Sequence, residues 1–95
     1  EGGIVMGLGY ALTEHFPVKD GVPQVKYGTL GLLRATQVPP MEIITVHGEG
    51  TLPLAYGAKG VGELCTIPAA PACQCAYWRR DQKFRTSLPL EDTAY

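Results

Sequence analysis

The chain has 95 residues, a formal net charge of −1 at pH 7, and 45% hydrophobic against 18% charged residues. That allows one domain at most with a marginal core, and it excludes a disordered charged tail and the basic footprint of a nucleic-acid binder. Arg79-Arg80 is too short a basic run to mark a membrane surface, and no run of about 18 apolar residues exists to span one.

Ile4, Val5, Leu8, Ala11 and Leu12 follow the spacing of one helical face, so a first helix is predicted from the N-terminus. It begins with an acid and has no basic flank, so it is not a secretory signal. The chain opens inside this helix, and a fragment of a longer protein is expected. Gly3 and Gly7 lie four apart with Gly9 nearby. Each interior glycine costs roughly 1 kcal/mol against alanine, so close packing against another backbone is expected, with room for a flat cofactor as the rival reading. Pro17 is expected to end the helix, leaving His15 in the last turn, where the helix dipole favours it.

Lys19 to Pro23 is a turn by composition. From Gln24 to Gln37 the pattern weakens, and Gly28 and Gly31 argue against a regular helix. Pro39 and Pro40 force an extended approach to Glu42-Ile43-Ile44-Thr45-Val46, the best strand in the sequence. Residues 47–53 return to loop. Thr66 is a plausible N-cap and Pro68 a plausible first-turn residue for a second helix running to about Trp78. Pro71 fits only within its first turns, and Arg79-Arg80 suits its C-terminal end. From Asp81 the tail reads as polar apart from Leu88-Pro89-Leu90. The 12 glycines and 8 prolines make the connections long. The fold class is α/β, more closely α+β: two helices around a short strand with long glycine- and proline-rich loops.

Most chemistries are poorly supported. Cys73-Gln74-Cys75 lacks the gap of zinc ligands, and residues two apart on a helix point away from each other. No protein-ligated metal is expected, and the three cysteines read as small buried thiols. Their odd number, with no secretory signal, argues against a disulfide framework and for a reducing, cytoplasmic setting. No Gly-x-Ser-x-Gly nucleophile elbow occurs. The run 57–62 carries Lys59 ahead of Gly60-Val61 and so fails the Walker form. Glu14, Glu42, Glu49, Glu91 and Asp92 read as ordinary exposed charges. Glu63 differs, because Gly57, Gly60 and Gly62 frame it. Glycine lets a backbone pass close to a bulky ligand. The bland alternative is a surface turn with a solvated carboxylate; the sharper one is a ligand loop carrying one catalytic carboxylate.

The stretch Gly57-Ala58-Lys59-Gly60-Val61-Gly62-Glu63 resembles the glycine-rich active-site motif of the xanthine dehydrogenase and aldehyde oxidase family, the molybdenum hydroxylases. Glu1-Gly2-Gly3 with Gly7-Leu8-Gly9-Tyr10-Ala11-Leu12 is similar to that family's upstream glycine-rich helix. Similar stretches follow in the family's order at Pro39–Ile43, Thr66–Ala72 and Arg85–Leu90. The resemblance implies that residues 1–95 are a single fragment of the family's molybdopterin-binding domain, at the C-terminal end of a much larger subunit. It implies Glu63 as general base, and Gly60, Val61 and Gly62 as the segment passing close to a molybdenum-pterin cofactor; no motif chemistry assigns Lys59 a role beyond anchoring the loop. It implies hydroxylation of a purine, N-heterocycle or aldehyde at an sp² carbon, xanthine dehydrogenase-like chemistry being favoured. The implied partners are a small-molecule substrate, the rest of the molybdenum-binding subunit, and iron–sulfur and FAD domains or subunits. The isolated chain is expected to hold no cofactor and to be inactive. The alternative is a non-catalytic structural or interaction module derived from the family.

Overall fold

The first helix forms where its apolar spacing and glycines place it. The computed structural model describes residues 1–48 and 54–95. In it, α1 spans Gly2–Leu12 and buries Gly7, Gly9 and Ala11, while Ile4, Val5, Leu8 and Leu12 are only half-buried. The buried stripe is thus the small-residue side, and the reason lies across the contact. A Cβ at Gly3 would sit 3.2 Å from Cys65 Cβ, and one at Gly7 would sit 2.9 Å from the Thr66 carbonyl oxygen. Close backbone approach, as expected for these glycines, brings α1 against the turn that precedes α2.

The helix ends earlier than Pro17 suggested. Thr13 leaves helical geometry at φ −131°, and the Thr13 and Glu14 amides both donate to the Gly9 carbonyl at 2.8 Å. A proline disfavours helical geometry in the residue before it and blocks the carbonyl four residues back, so the helix retreats a full turn ahead of Pro17. His15 therefore lies beyond the helix, its amide donating to the Leu30 carbonyl at 2.9 Å, and the dipole argument for it falls away.

A minimal antiparallel pair follows. β1 (Val18–Lys19) and β2 (Val22–Pro23) align Val18 with Pro23 and Lys19 with Val22. Asp20 and Gly21 join them at φ 52° and 77°. Two successive positive φ values define the type I′ turn, whose twist matches that of the strands, and Asp-Gly is a favoured pair for it. The expected turn is there; the strands flanking it had no alternating pattern to reveal them. The strand expected at 42–46 is not formed. No backbone hydrogen bond joins it to any described residue, and Ile44 and Val46 are 78% and 90% exposed. β-Branched residues favour a strand only when a neighbouring strand accepts the ladder. Within the predicted loop 47–53, Glu49, Gly50 and the three residues after it lie outside the described residues.

Between the hairpin and α2 the backbone makes 3₁₀ turns at Tyr27–Thr29 and Ala35–Gln37, closed by Thr29 Oγ1 and Gln37 Oε1 accepting from the Lys26 and Arg34 amides. Ala55, Tyr56 and Gly57 then turn left-handed, at φ 50°, 54° and 80°.

α2 spans Ala69–Asp81, starting after Pro68 and running past Trp78. Thr66 does not cap it; its Oγ1 is buried and has no partner among the described residues. Pro71 falls in the first turn, where its missing N–H has no intrahelical acceptor to lose. Arg79 and Arg80 occupy the last turn as expected, and Gln82 ends the helix at φ 58°. The tail folds back, so that the Leu90 amide donates to the Ala11 carbonyl at 2.7 Å and Leu90 is buried. The architecture is the expected α+β class: among the described residues, two packed helices, one two-stranded antiparallel sheet and long connections.

The core is small. Ala11, Ala69 and Leu90 are the buried apolar residues among those described. The radius of gyration is 16.8 Å, where a compact chain of this length gives about 12 Å. The accessible surface is 7917 Å², where a compact globule of this mass exposes about 5300 Å². Much apolar surface therefore faces outward, from Tyr27 through Ile44 and Val46 to Ile67 and Phe84.

Candidate functional site

Residues 57–63 lie on an open face between the left-handed turn and the start of α2. Gly60, Val61, Gly62 and Glu63 are all exposed. A Cβ added at Gly57, Gly60 or Gly62 would meet nothing within 4 Å, and of the three only Gly57 has positive φ, at 80°. Gly57 is thus required by the backbone, whereas nothing described in the chain requires Gly60 or Gly62. The amides of Lys59, Gly60, Val61 and Gly62 donate to no backbone acceptor among the described residues, which leaves a row of free donors of the kind that receives an anion. Lys59 is exposed and makes no ion pair among the described residues.

Glu63 is fixed through its main chain. Its carbonyl accepts from the Thr66 amide at 3.0 Å. The Thr66 carbonyl in turn accepts from the Tyr10 hydroxyl at 2.8 Å, across 56 residues of sequence. The carboxylate itself has no hydrogen-bond partner among the described residues and reaches into open space. Among the described residues, cavities open away from this loop, one of about 400 Å³ between Thr13, Tyr27, Arg34 and Gln37 and one of about 280 Å³ under Tyr77, Arg80 and Asp92.

The cysteines are not the buried thiols expected. Cys65 and Cys75 are exposed and Cys73 is half-buried, its partial burial pushing the thiol above its ordinary value. Cys73 and Cys75, two apart on α2, face different sides, so the short spacing that argues against chelation also keeps them from being buried together. Among the described residues no group of three or more His, Cys, Asp or Glu side chains could hold a metal ion, and no helix is long and apolar enough to cross a membrane.

One polar centre has no counterpart in the sequence reading. Arg85, in the tail read as polar, has a side chain only 1% exposed. It donates to both Asp81 carboxylate oxygens, at 2.7 and 3.3 Å, and to the carbonyls of Lys83, Glu91 and Asp92. Its guanidinium also lies 4.9 Å from the Tyr77 ring centroid, within cation–π range. Tyr77 Oη accepts from the Ala94 amide at 3.1 Å. Asp92, read as an ordinary exposed charge, is ion-paired with Lys83. The only hint available was Asp81 and Arg85 at i and i+4; the burial depends on the tail's return. The Arg85 hydrogen bond, then the Lys83 amide, hold the Asp81 carboxyl down from its ordinary 3.8 to about 2.

A carboxyl depressed in the folded state contributes stability above its unfolded value and loses it as pH falls through the folded one. The clasp should therefore loosen between about pH 4 and pH 2, and Asp81→Asn should remove that acid dependence. Fluorescence of Trp78, the chain's one tryptophan, followed through an acid titration checks this. An unchanged acid transition in Asp81→Asn would assign it to another group.

The chain is 33% identical over 91 residues to the isoquinoline 1-oxidoreductase subunit beta of Brevundimonas diminuta, an alignment covering 95% of this chain and 11% of that protein. The similarity is therefore to an oxidoreductase subunit, and the chain spans about a tenth of that relative's length. No family model matches the chain, and no solved structure matches it.

Proposed function

We propose that the chain is one segment of a molybdenum hydroxylase subunit that oxidises an electron-poor N-heterocycle at an sp² carbon, and that it contributes the general base, Glu63. The observation that carries this reading is Glu63 itself: an exposed carboxylate with no partner among the described residues, at the end of a loop whose Gly60 and Gly62 no described residue requires. The resemblance of residues 57–63 to the molybdenum hydroxylase motif supports it. So does the likeness to an oxidoreductase subunit named for isoquinoline, an N-heterocycle, which moves the substrate class from purines towards such rings. The outward-facing apolar surface supports partners: the rest of the subunit, and iron–sulfur and flavin modules.

The donor set fits an anionic pterin cofactor held by main-chain amides. Gly60, Val61 and Gly62 offer amides that donate to no backbone acceptor among the described residues, the two glycines add no side-chain bulk, and a pterin that carries its own sulfur donors asks for no cysteine of this chain. When bound, the molybdenum-pterin group supplies the two-electron oxidation. Glu63 has a narrower task. Its carboxylate accepts the proton released as a water-derived oxygen adds to the ring carbon, and it holds that proton clear of the product. A base must stand within hydrogen-bond reach of its proton and titrate near the working pH. In this chain nothing described encloses Glu63, so the surfaces that exclude water from it belong to the remainder of the enzyme, and the isolated chain is inactive.

The oxygen source tests the reading. The intact enzyme, turning over an N-heterocycle in ¹⁸O-labelled water, should place one ¹⁸O in each product molecule, with molybdenum present in the preparation. Label arriving from O₂, or turnover by a preparation free of molybdenum, would sink it.

A further inference from the structure

Resting on the reading of Glu63 as the base, we infer that Tyr10 is a positioning residue for it: α1 is the platform on which the Glu63 turn is seated, and the Tyr10 hydroxyl is the pin. Three α1 residues spaced i, i+4 and i+7 meet the segment 62–69. A Cβ at Gly3 would stand 3.2 Å from Cys65 Cβ, 3.3 Å from Thr66 Oγ1 and 3.5 Å from the Gly62 carbonyl oxygen. One at Gly7 would press on Thr66 and Ala69 backbone and side-chain atoms. Tyr10 Oη donates to the Thr66 carbonyl at 2.8 Å. The two glycines let the turn come down onto the helix; the tyrosine fixes where it stops.

From Thr66 the constraint passes to Glu63 in one step, because the Thr66 amide closes the turn on the Glu63 carbonyl at 3.0 Å. Thr66 thus receives from α1 through its carbonyl and gives to Glu63 through its amide. On the other side of Glu63, residues 59–62 make no backbone hydrogen bond among the described residues that would hold it. The position of the carboxylate is therefore set from the Thr66 side. Tyr10 touches no reacting atom; it acts through the turn.

The test is a double-mutant cycle in the holoenzyme that carries this chain, with Tyr10→Phe, Glu63→Gln and both together. Removing only the hydroxyl should lower the limiting rate of reduction by substrate about tenfold, in keeping with the cost of a small misplacement of a reacting group, while the substrate dissociation constant stays unchanged. In the Glu63→Gln background the same change should cost nothing further. Amide hydrogen exchange gives a readout independent of turnover, since the peptide covering residues 60–67 should exchange faster in Tyr10→Phe. Gly3→Ala, which forces Cys65 and Thr66 to give by a few tenths of an ångström, should act in the same direction. A Tyr10→Phe rate within about twofold of wild type, or an equal loss in both Glu63 backgrounds, overturns the inference. If Glu63→Gln alone leaves the rate intact, the base reading fails, and exchange then decides the anchoring separately: faster exchange upholds it, and unchanged exchange overturns it.

Discussion

Gly7→Val should open the contact between α1 and the start of α2 and cost the intact protein about 2 kcal/mol or more of local stability. Two effects compete. Replacing an interior helix glycine gains up to about 1 kcal/mol for alanine and less for β-branched valine. Against that, a Cβ at Gly7 falls inside 3.0 Å of Ala69 Cβ and 2.9 Å from the Thr66 carbonyl oxygen, and neither the short alanine side chain nor the backbone can rotate away. Overpacking of this kind typically costs about 1–3 kcal/mol, and valine adds two methyl groups to the clash. The strain wins. Amide exchange in α1 and in residues 66–72 should accelerate by about thirtyfold, the equivalent of 2 kcal/mol at roughly 1.4 kcal/mol per decade. Two neighbours serve as controls. Gly2→Ala meets nothing within 4 Å and should gain about 0.5–1 kcal/mol. Gly9→Ala meets only the Glu14 carboxylate, a flexible end that can swing aside. Unchanged exchange in Gly7→Val would mean that the helices do not pack through this stripe.

Glu63→Gln should lower turnover by about 10²–10⁴-fold, the usual contribution of general base catalysis, and leave cofactor content intact. Glutamine keeps the size and a hydrogen-bonding end but cannot take a proton. If Glu63 is the proposed base, the loss should fall in the half-reaction in which substrate reduces the enzyme, and electron transfer onward from reduced enzyme should keep its rate. The backbone around the substitution has little reason to shift, because Glu63 is held by its carbonyl to the Thr66 amide and its side chain has no partner among the described residues.

The parts of the fold that were legible in the sequence are those decided locally. The apolar spacing of Ile4 to Leu12 gave α1, the alanines after Pro68 gave α2, and Asp20-Gly21 marked a tight turn that the backbone makes with two positive φ values. Gly3 and Gly7 declared a close approach by being costly anywhere else. What required distant partners was not legible. Ile43, Ile44 and Val46 have strand-forming side chains, but no described segment supplies the ladder, and they remain exposed. Arg85 looked like any tail arginine until the chain returned around it and buried it under Tyr77 and Asp81. Thr66 looked like a helix cap; its carbonyl and amide, rather than its hydroxyl, do the positioning. The candidate site divides the same way. A glycine-framed acid at position 63 can be read from seven residues, whereas the walls that would make it a base are not contributed by any described part of this chain.

The central claim is that Glu63 removes the proton, and anaerobic stopped-flow reduction of the intact Glu63→Gln enzyme by its heterocyclic substrate tests it most directly, with molybdenum content measured on the same preparation. The expected result is full molybdenum with reduction slowed at least about 100-fold and normal reoxidation by the electron acceptor. Full molybdenum with reduction at close to the wild-type rate would contradict it, and would leave Glu63 as a solvated carboxylate on a surface turn.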